Sequence, residues 1–106
     1  MTDQSLTTLH LERQDGVLWV TIDVPPVNLM TAQFLLDLDA VAASAENDPD
    51  LHVIVIQSAN PEFFLAHGDL TFVENPETYA ALPIAEETLV GTGPMMRLHE
   101  RWRLLP

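Results

Sequence analysis

The chain has 106 residues and a formal net charge of −12, with 16 acidic residues against four arginines and no lysine. Binding to nucleic-acid phosphates depends mainly on cationic side chains, so no nucleic-acid partner is expected. The length suits one domain, and no apolar run of about 18 residues or signal-like start is present, which favours a soluble cytoplasmic protein without membrane contact. Cysteine is absent, so disulfides and thiolate chemistry are excluded.

Apolar and polar residues alternate on both sides of a turn signal at Asp15-Gly16. The alternating apolar set is Leu9, Leu11, Leu18, Val20 and Ile22. This period of two predicts a β-hairpin with one buried face. Pro25 and Pro26 then remove two backbone donors and fix two φ angles, so the chain must leave the sheet after the hairpin.

A helix and a third strand are predicted next. Thr31 is a suitable N-cap for a helix running to about Glu46. Its apolar residues at helical spacing are Leu35, Leu38, Ala42 and Ala45. Residues 52–57 are short, β-branched and apolar, which predicts a strand buried on both faces, as in a parallel sheet covered by helices. A weaker helical pattern spans residues 84–105 and is interrupted at residues 91–94.

Two further segments carry chemistry or charge. Three of the four arginines, at positions 97, 101 and 103, lie in the last ten residues, where a solvated helix face is expected rather than a phosphate clamp. In the loop Phe-Phe-Leu-Ala-His-Gly-Asp-Leu at residues 63–70, Gly68 would permit a tight, unusual backbone turn. A free backbone N–H there could donate to a developing oxyanion, worth about 3 kcal/mol. Spacing alone leaves a plain turn as the alternative.

Four segments between Leu9 and about Leu70 resemble those of one enzyme family, in order and in spacing. They are the hairpin after residues 15–17, the Pro-Pro-Val-Asn-Leu segment at residues 25–29, the strand at residues 53–56 and the loop at residues 64–70. The second resembles a Pro-x-x-Asn-Ala-Leu motif, and the fourth resembles Phe-Ser-Ala-Gly-Ala-Asp-Leu. The chain is therefore similar to the enoyl-CoA hydratase/isomerase (crotonase) family.

The resemblance implies a fold, a substrate class and site residues. The expected fold is α/β, the N-terminal part of a crotonase-like spiral of strand-strand-helix units, in a single truncated domain over residues 1–106. Gly68 would give the backbone oxyanion-hole donor to the thioester of an acyl-CoA, with coenzyme A bound as part of the substrate. Members commonly form trimer-based homo-oligomers. Residues implied to line the coenzyme A site are Ala66, His67, Leu70, Val27 and Leu29.

Two residues of the loop need separate interpretation. His67 stands where the family's motif has glycine; an imidazole can act as acid or base near neutral pH, but a packed or solvated histidine is the expected role. Asp69 is expected to cap a short helix beginning near Leu70 rather than to take part in chemistry. The other three histidines lie on different elements without ligand spacing, so no metal site is expected.

The sequence stops at Pro106, where family members continue into a strand, a glycine-rich turn with the second oxyanion donor, and the acidic catalytic residues. Two hypotheses follow. The chain is the N-terminal half of an acyl-CoA enzyme and is inactive alone, or it is an inactive remnant or partner-binding fragment. Continuation of the coding region past Pro106 would favour the enzyme. In either case an uncovered edge should meet solvent unless the chain oligomerises or its last helix folds back. The reaction and the acyl group stay open.

Overall fold

The structure is a computed structural model that describes residues 6–85 and 93–106. Within these residues a sheet of order β1-β2-β3 pairs β1 with β2 antiparallel and β2 with β3 parallel, and the predicted order of strand, strand, helix and strand is confirmed. The same residues contain no helix long and apolar enough to cross a membrane. The elements are β1 (Leu9–Gln14), β2 (Val17–Ile22), α1 (Ala32–Glu46), β3 (Val53–Ser58), α2 (Thr71–Glu74), α3 (Pro76–Ala80) and α4 (Pro94–Arg103).

The hairpin forms as its alternation predicts and also sets the position of β3. Leu18, Val20 and Ile22 of β2 are buried and alternate with half-buried neighbours. At the turn, the carbonyl of Gly16 accepts from the N–H of His52 at 2.8 Å. A Cβ at Gly16 would lie 2.6 Å from Cδ2 of His52 and 3.2 Å from the carbonyl oxygen of Asp50, so glycine permits this close approach without displacing either group. The turn therefore fixes where the parallel strand begins.

Helix α1 begins at the predicted cap and packs on the sheet. The Thr31 Oγ1 accepts from the N–H of Phe34 at 3.1 Å, as an N-cap should. Asp37 is buried on the same helix, and its carboxylate accepts from both the N–H and the hydroxyl of Thr8. That pair ties the residues before β1 to α1. The apolar residues of α1 that are buried are Phe34, Leu35, Val41, Ala42 and Ala45.

The third strand is not buried on both faces, so that prediction is wrong. Val53 is 49 % exposed and Ile56 is 37 % exposed. Among the described strands β3 pairs only with β2, and its other edge has no neighbour. The apolar, β-branched composition of β3 indicates a strand whose faces pack against other elements, but no described residues pack against the outer edge of β3. The expectation that an uncovered edge would meet solvent is confirmed for β3.

The prediction that Arg97, Arg101 and Arg103 form a solvated helix face is wrong for Arg97 and Arg101. Arg97 and Arg101 of α4 are 7 % and 4 % exposed, and only Arg103 is at the surface. Arg97 donates to the carbonyls of Ile84 and Leu82 at 2.7 and 3.1 Å. The predicted helix over residues 84–105 is observed as the shorter α4, while residues 86–92 lie outside the described part of the chain.

Arg101 joins α4 to α1 by an ion-pair network. Its guanidinium donates two hydrogen bonds to the carboxylate of Glu46, both at 3.0 Å, and one to Asp39 at 2.9 Å. The hydrogen bonds to Glu46 raise the pKa of Arg101 above its ordinary value; burial opposes this rise, and the hydrogen bond to Asp39 adds to it. Trp102 adds a bond from Nε1 to the carbonyl of Leu38. The last helix therefore folds back onto α1, while the edge of β3 stays exposed.

The core and the edge of the sheet should respond differently to truncation. Leu18 is 1 % exposed in the central strand, whereas Ile54 is half-buried in the edge strand. We expect Leu18→Ala to lower the free energy of unfolding by about 2–5 kcal/mol and Ile54→Ala by about 1–2 kcal/mol. Denaturant unfolding of both variants measures this difference. An equal loss in the two variants would contradict the placement of β3 at an uncovered edge.

Candidate active site

A buried asparagine connects the turn after β2 to the loop after β3. Asn28 is 2 % exposed and has a positive φ of 58°, which the short polar side chain of asparagine tolerates. Its Oδ1 accepts from the N–H of Val24 at 2.8 Å. Its Nδ2 donates to Ser58 Oγ at 2.7 Å and to the carbonyl of Phe64 at 3.0 Å. A longer bond of 3.3 Å reaches the carbonyl of Phe63. One side chain therefore satisfies groups from three separate segments.

Two further polar residues fold the loop itself. Ser58 ends β3, and its hydroxyl lies 2.6 Å from the carbonyl of Phe63, to which it donates. Asn60 accepts from the N–H groups of Glu62 and Phe63, and donates to the carbonyl of Pro26 at 2.8 Å. These contacts hold the start of the loop against the proline turn, so the residues that follow leave from a fixed position.

Beyond this point the loop runs alongside the residues that precede α1. The N–H of Ala66 donates to the carbonyl of Asn28 at 2.8 Å. The N–H of Met30 donates to the carbonyl of His67 at 3.1 Å, and the N–H of Asp69 donates to the carbonyl of Met30 at 3.0 Å. The bonds around Met30 form an isolated parallel bridge in which Met30 faces Gly68. Backbone pairing, not side-chain packing, therefore positions the predicted donor.

The pairing directs the Gly68 N–H away from Met30. In a trans peptide the carbonyl and the N–H point in opposite directions, and the carbonyl of His67 points to Met30. The N–H of Gly68, in the same peptide, therefore points to the other side. The carbonyl of Gly68 points the same way, because the N–H of Asp69 is bound to Met30. Within the described part of the chain the Gly68 N–H has no acceptor.

Of the two conformations that the sequence left open at Gly68, the unusual left-handed turn is not adopted. The φ of Gly68 lies outside the left-handed region, and the residue pairs with Met30 in the parallel bridge. A Cβ at this position would lie 3.5 Å from Cδ2 of Phe72, which is an ordinary contact. Glycine is therefore not required for the conformation, and alanine fits the same position.

The imidazole of His67 is exposed and contacts the next residue. Its Nδ1 lies 2.8 Å from the carbonyl oxygen of Gly68. A carbonyl oxygen can only accept, so the Nδ1 carries the proton in this bond and the neutral ring presents an unprotonated Nε2. Since the Gly68 carbonyl points away from Met30, the ring lies on the same side as the Gly68 N–H.

Of the other residues predicted to line the coenzyme A site, some lie on the two paired segments and others lie beside them. Ala66 and Leu29 are half-buried on the two paired segments, and Val27 is half-buried in the turn before them. Leu70 follows the loop and is 67 % exposed. Asp69 accepts from the N–H of Thr71 at 3.0 Å, so its carboxylate holds the first residue of α2 as expected, although Leu70 occupies the cap position.

Other charged groups do not extend the site. Glu62, Glu74 and Glu77 are exposed. Across residues 6–85 and 93–106, no group of three or more histidine or acidic side chains is arranged to hold a metal ion. Asn28 and Ser58, by contrast, organise the loop, although the sequence analysis assigned a role to neither. The available signal for Asn28 was its place as the asparagine of the Pro-x-x-Asn-Ala-Leu motif.

Comparisons with known proteins identify the family of this chain. The model of the enoyl-CoA hydratase/isomerase family matches residues 12–90. The chain belongs to the enoyl-CoA hydratase/isomerase family. The carnitinyl-CoA dehydratase of Escherichia coli K12 is 35 % identical over 63 residues, which are 59 % of this chain and 24 % of that protein. The chain thus spans about a quarter of the length of this curated relative.

Solved structures show the same fold. A putative enoyl-CoA hydratase from Streptomyces avermitilis superposes with a TM-score of 0.81 at 31 % identity, over 96 % of this chain and 36 % of that chain. A probable enoyl-CoA hydratase/isomerase from Mycobacterium abscessus gives a TM-score of 0.64 at 25 % identity, over 74 % of this chain and 30 % of that chain. The predicted fold, the N-terminal part of an α/β crotonase-like spiral, is confirmed.

Replacing Asn28 should release the loop. In Asn28→Asp the shape is kept, but an acceptor replaces the Nδ2 donor and faces the carbonyls of Phe63 and Phe64. We expect the free energy of unfolding to fall by about 2–3 kcal/mol, since buried groups lose their partners. The matched control is Asn60→Asp, which loses one donor at an exposed contact and should cost less than about 1 kcal/mol. Similar losses by chemical denaturation would contradict the role of Asn28.

Proposed function

We propose that this chain supplies the part of an acyl-CoA enzyme that holds the thioester carbonyl. The Gly68 N–H would donate to the thioester oxygen and stabilise the enolate that forms when the neighbouring carbon loses a proton. The observation that carries this proposal is the direction of that N–H, which points away from Met30 and has no acceptor within the described residues. Family membership and the coenzyme A thioester in the name of the bacterial relative support the substrate class.

The physical basis is a donor that is oriented before the substrate arrives. Negative charge on the thioester oxygen is greater in the transition state than in the substrate, so a fixed dipole favours the transition state. Bonds from Met30 and Asn28 hold both sides of the loop, and no reorganisation is needed at the moment of reaction. One such donor typically changes a rate by about a hundred- to a thousand-fold.

The coenzyme A portion would lie along the two paired segments. Ala66, His67 and Leu29 would line it next to the donor, and Val27 and Leu70 would line it farther out. The chain's arginines bind groups of the chain itself: Arg13 pairs with Asp48, Arg103 with Glu100, and the other two are buried in contacts to carbonyls and carboxylates. We therefore expect the site to bind the thioester end of the substrate, and we expect residues outside the described part of this chain to bind the phosphates of coenzyme A.

Hydration of an enoyl thioester needs carboxylates that activate water and protonate carbon. The three glutamates nearest the loop in sequence are exposed. We therefore expect this chain alone to show no hydratase turnover.

The exposed edge of β3 favours a second candidate function, association with another polypeptide or another copy of the chain. Val53 and Ile56 present apolar surface there. Two cavities of about 360 and 340 Å³ lie along this region and share Ile56 and Trp102 in their walls. Unpaired strand edges with apolar side chains are common sites of strand addition. Under this alternative the chain binds a partner and no thioester.

A titration of the protein with butyryl-CoA tests the thioester proposal. We expect the amide resonance of Gly68 to shift as the thioester oxygen accepts its N–H, and unacylated coenzyme A to leave that resonance nearly unchanged. Gly68→Ala should bind like the original chain, since it keeps the N–H and its Cβ fits. Gly68→Pro deletes the donor and should weaken thioester binding about fivefold.

The same titration separates the two candidate functions. No shift at Gly68 with saturating thioester, in a protein whose spectrum shows a folded chain, would contradict the oxyanion proposal and leave the binding of a partner at β3 as the better account.

A further inference from the structure

We propose that His67 is the proton acceptor of this site and that its Nε2 removes a proton from the α-carbon of the thioester bound at Gly68. The inference rests on the proposed function, because it needs a thioester at the Gly68 N–H. It assigns a chemical role to the position at which the sequence departs from the motif that it resembles.

The backbone pairing places the two groups on one side of the loop. The N–H and the carbonyl of Gly68 both point away from Met30, because the adjoining groups of His67 and Asp69 are bound to Met30. The imidazole Nδ1 of His67 is 2.8 Å from that carbonyl oxygen. A ligand oxygen that accepts from the Gly68 N–H therefore lies beside the imidazole ring. The α-carbon of a thioester is bonded to the carbonyl carbon, so it also lies near the imidazole ring.

The contact with Gly68 also selects the proton-accepting form of the ring. Because the carbonyl can only accept, the proton of the neutral imidazole is on Nδ1, and Nε2 keeps its lone pair. His67 is exposed, so that lone pair is accessible to a bound ligand. The adjacent carboxylate, Asp69, accepts the N–H of Thr71 through its Oδ1. Within the described residues no side chain forms a hydrogen bond or ion pair with the imidazole.

The proposed step is balanced without a further reactant. The Nε2 lone pair takes the α-proton, and the C–H bond breaks. Its electron pair forms the carbon–carbon double bond of the enolate, while the carbonyl π pair moves onto the oxygen that Gly68 holds. The imidazolium then returns a proton to the α-carbon, and the thioester is restored. In deuterium oxide the returned particle is a deuteron, so the step can be observed as exchange without net reaction.

The experiment measures this exchange with the complete chain and phenylacetyl-CoA, whose α-protons are comparatively acidic. Mass spectrometry follows deuterium uptake at the α-carbon. We expect uptake faster than in buffer with the same concentration of free imidazole. His67→Gln and His67→Gly should both slow it about a hundredfold, the usual contribution of a positioned base. The control is His10→Gln, since His10 is an exposed histidine bound to Asp23 on the hairpin.

Binding is measured separately from exchange, so failure of the His67 proposal can be distinguished from failure of the oxyanion proposal. The Gly68 amide should shift on addition of phenylacetyl-CoA in both the original chain and His67→Gln, which shows that the ligand is bound in each. Bound thioester with no exchange above buffer, or His67 variants that exchange as fast as the original chain, would overturn the role of His67 while leaving the oxyanion donor intact. Absence of the Gly68 shift in the original chain would overturn both proposals.

Discussion

The hydrogen bonds of the buried Asn28 amide are the constraint on which the rest of the site depends. The parallel pairing of β2 with β3, in which Ile22 faces Ser58, starts the two following loops side by side, but beyond the strands the loops have no regular secondary structure of their own. The Asn28 side chain binds a backbone N–H of the first loop, the hydroxyl that ends β3, and carbonyls of the second loop. Each of these groups would otherwise need another partner, because a buried polar group without one is costly.

The consequence of this anchor is a donor whose orientation does not depend on its own side chain. With the loop start fixed at Asn28, the backbone pairs around Met30 and turns the Gly68 N–H outward. Side chains at positions 67 and 68 can therefore change without disturbing the peptide that joins them. This explains how a histidine fits at position 67 and gives that position freedom to contribute chemistry beside the donor.

Local patterns in the sequence predicted the elements, whereas the environment of several residues depended on tertiary structure. The alternation in β2 and the cap at Thr31 report interactions within a few residues, and both are confirmed. Burial of β3 and of Arg101 depends on which other elements pack against them in the folded chain, and amino-acid composition does not show that. The apolar composition of β3 led to the prediction of a strand buried on both faces, although Val53 and Ile56 are exposed. The positive charge of Arg101 led to the prediction of a solvated side chain, although it is buried and paired with Glu46. The pairing of Gly68 with Met30 was missed because the two residues lie 38 positions apart in the sequence.

The most direct test of this account is the amide hydrogen exchange of the loop residues in the free protein, measured one by one in the folded state. If backbone pairing holds the loop, the N–H groups of Ala66, Met30 and Asp69, which are bound across the two segments, exchange slowly. The N–H of Gly68, which lies between them and points outward, should exchange at nearly the rate of an unstructured peptide. Slow exchange at Gly68, or rapid exchange at Met30 and Asp69, would contradict the claim that backbone pairing presents this donor to a ligand.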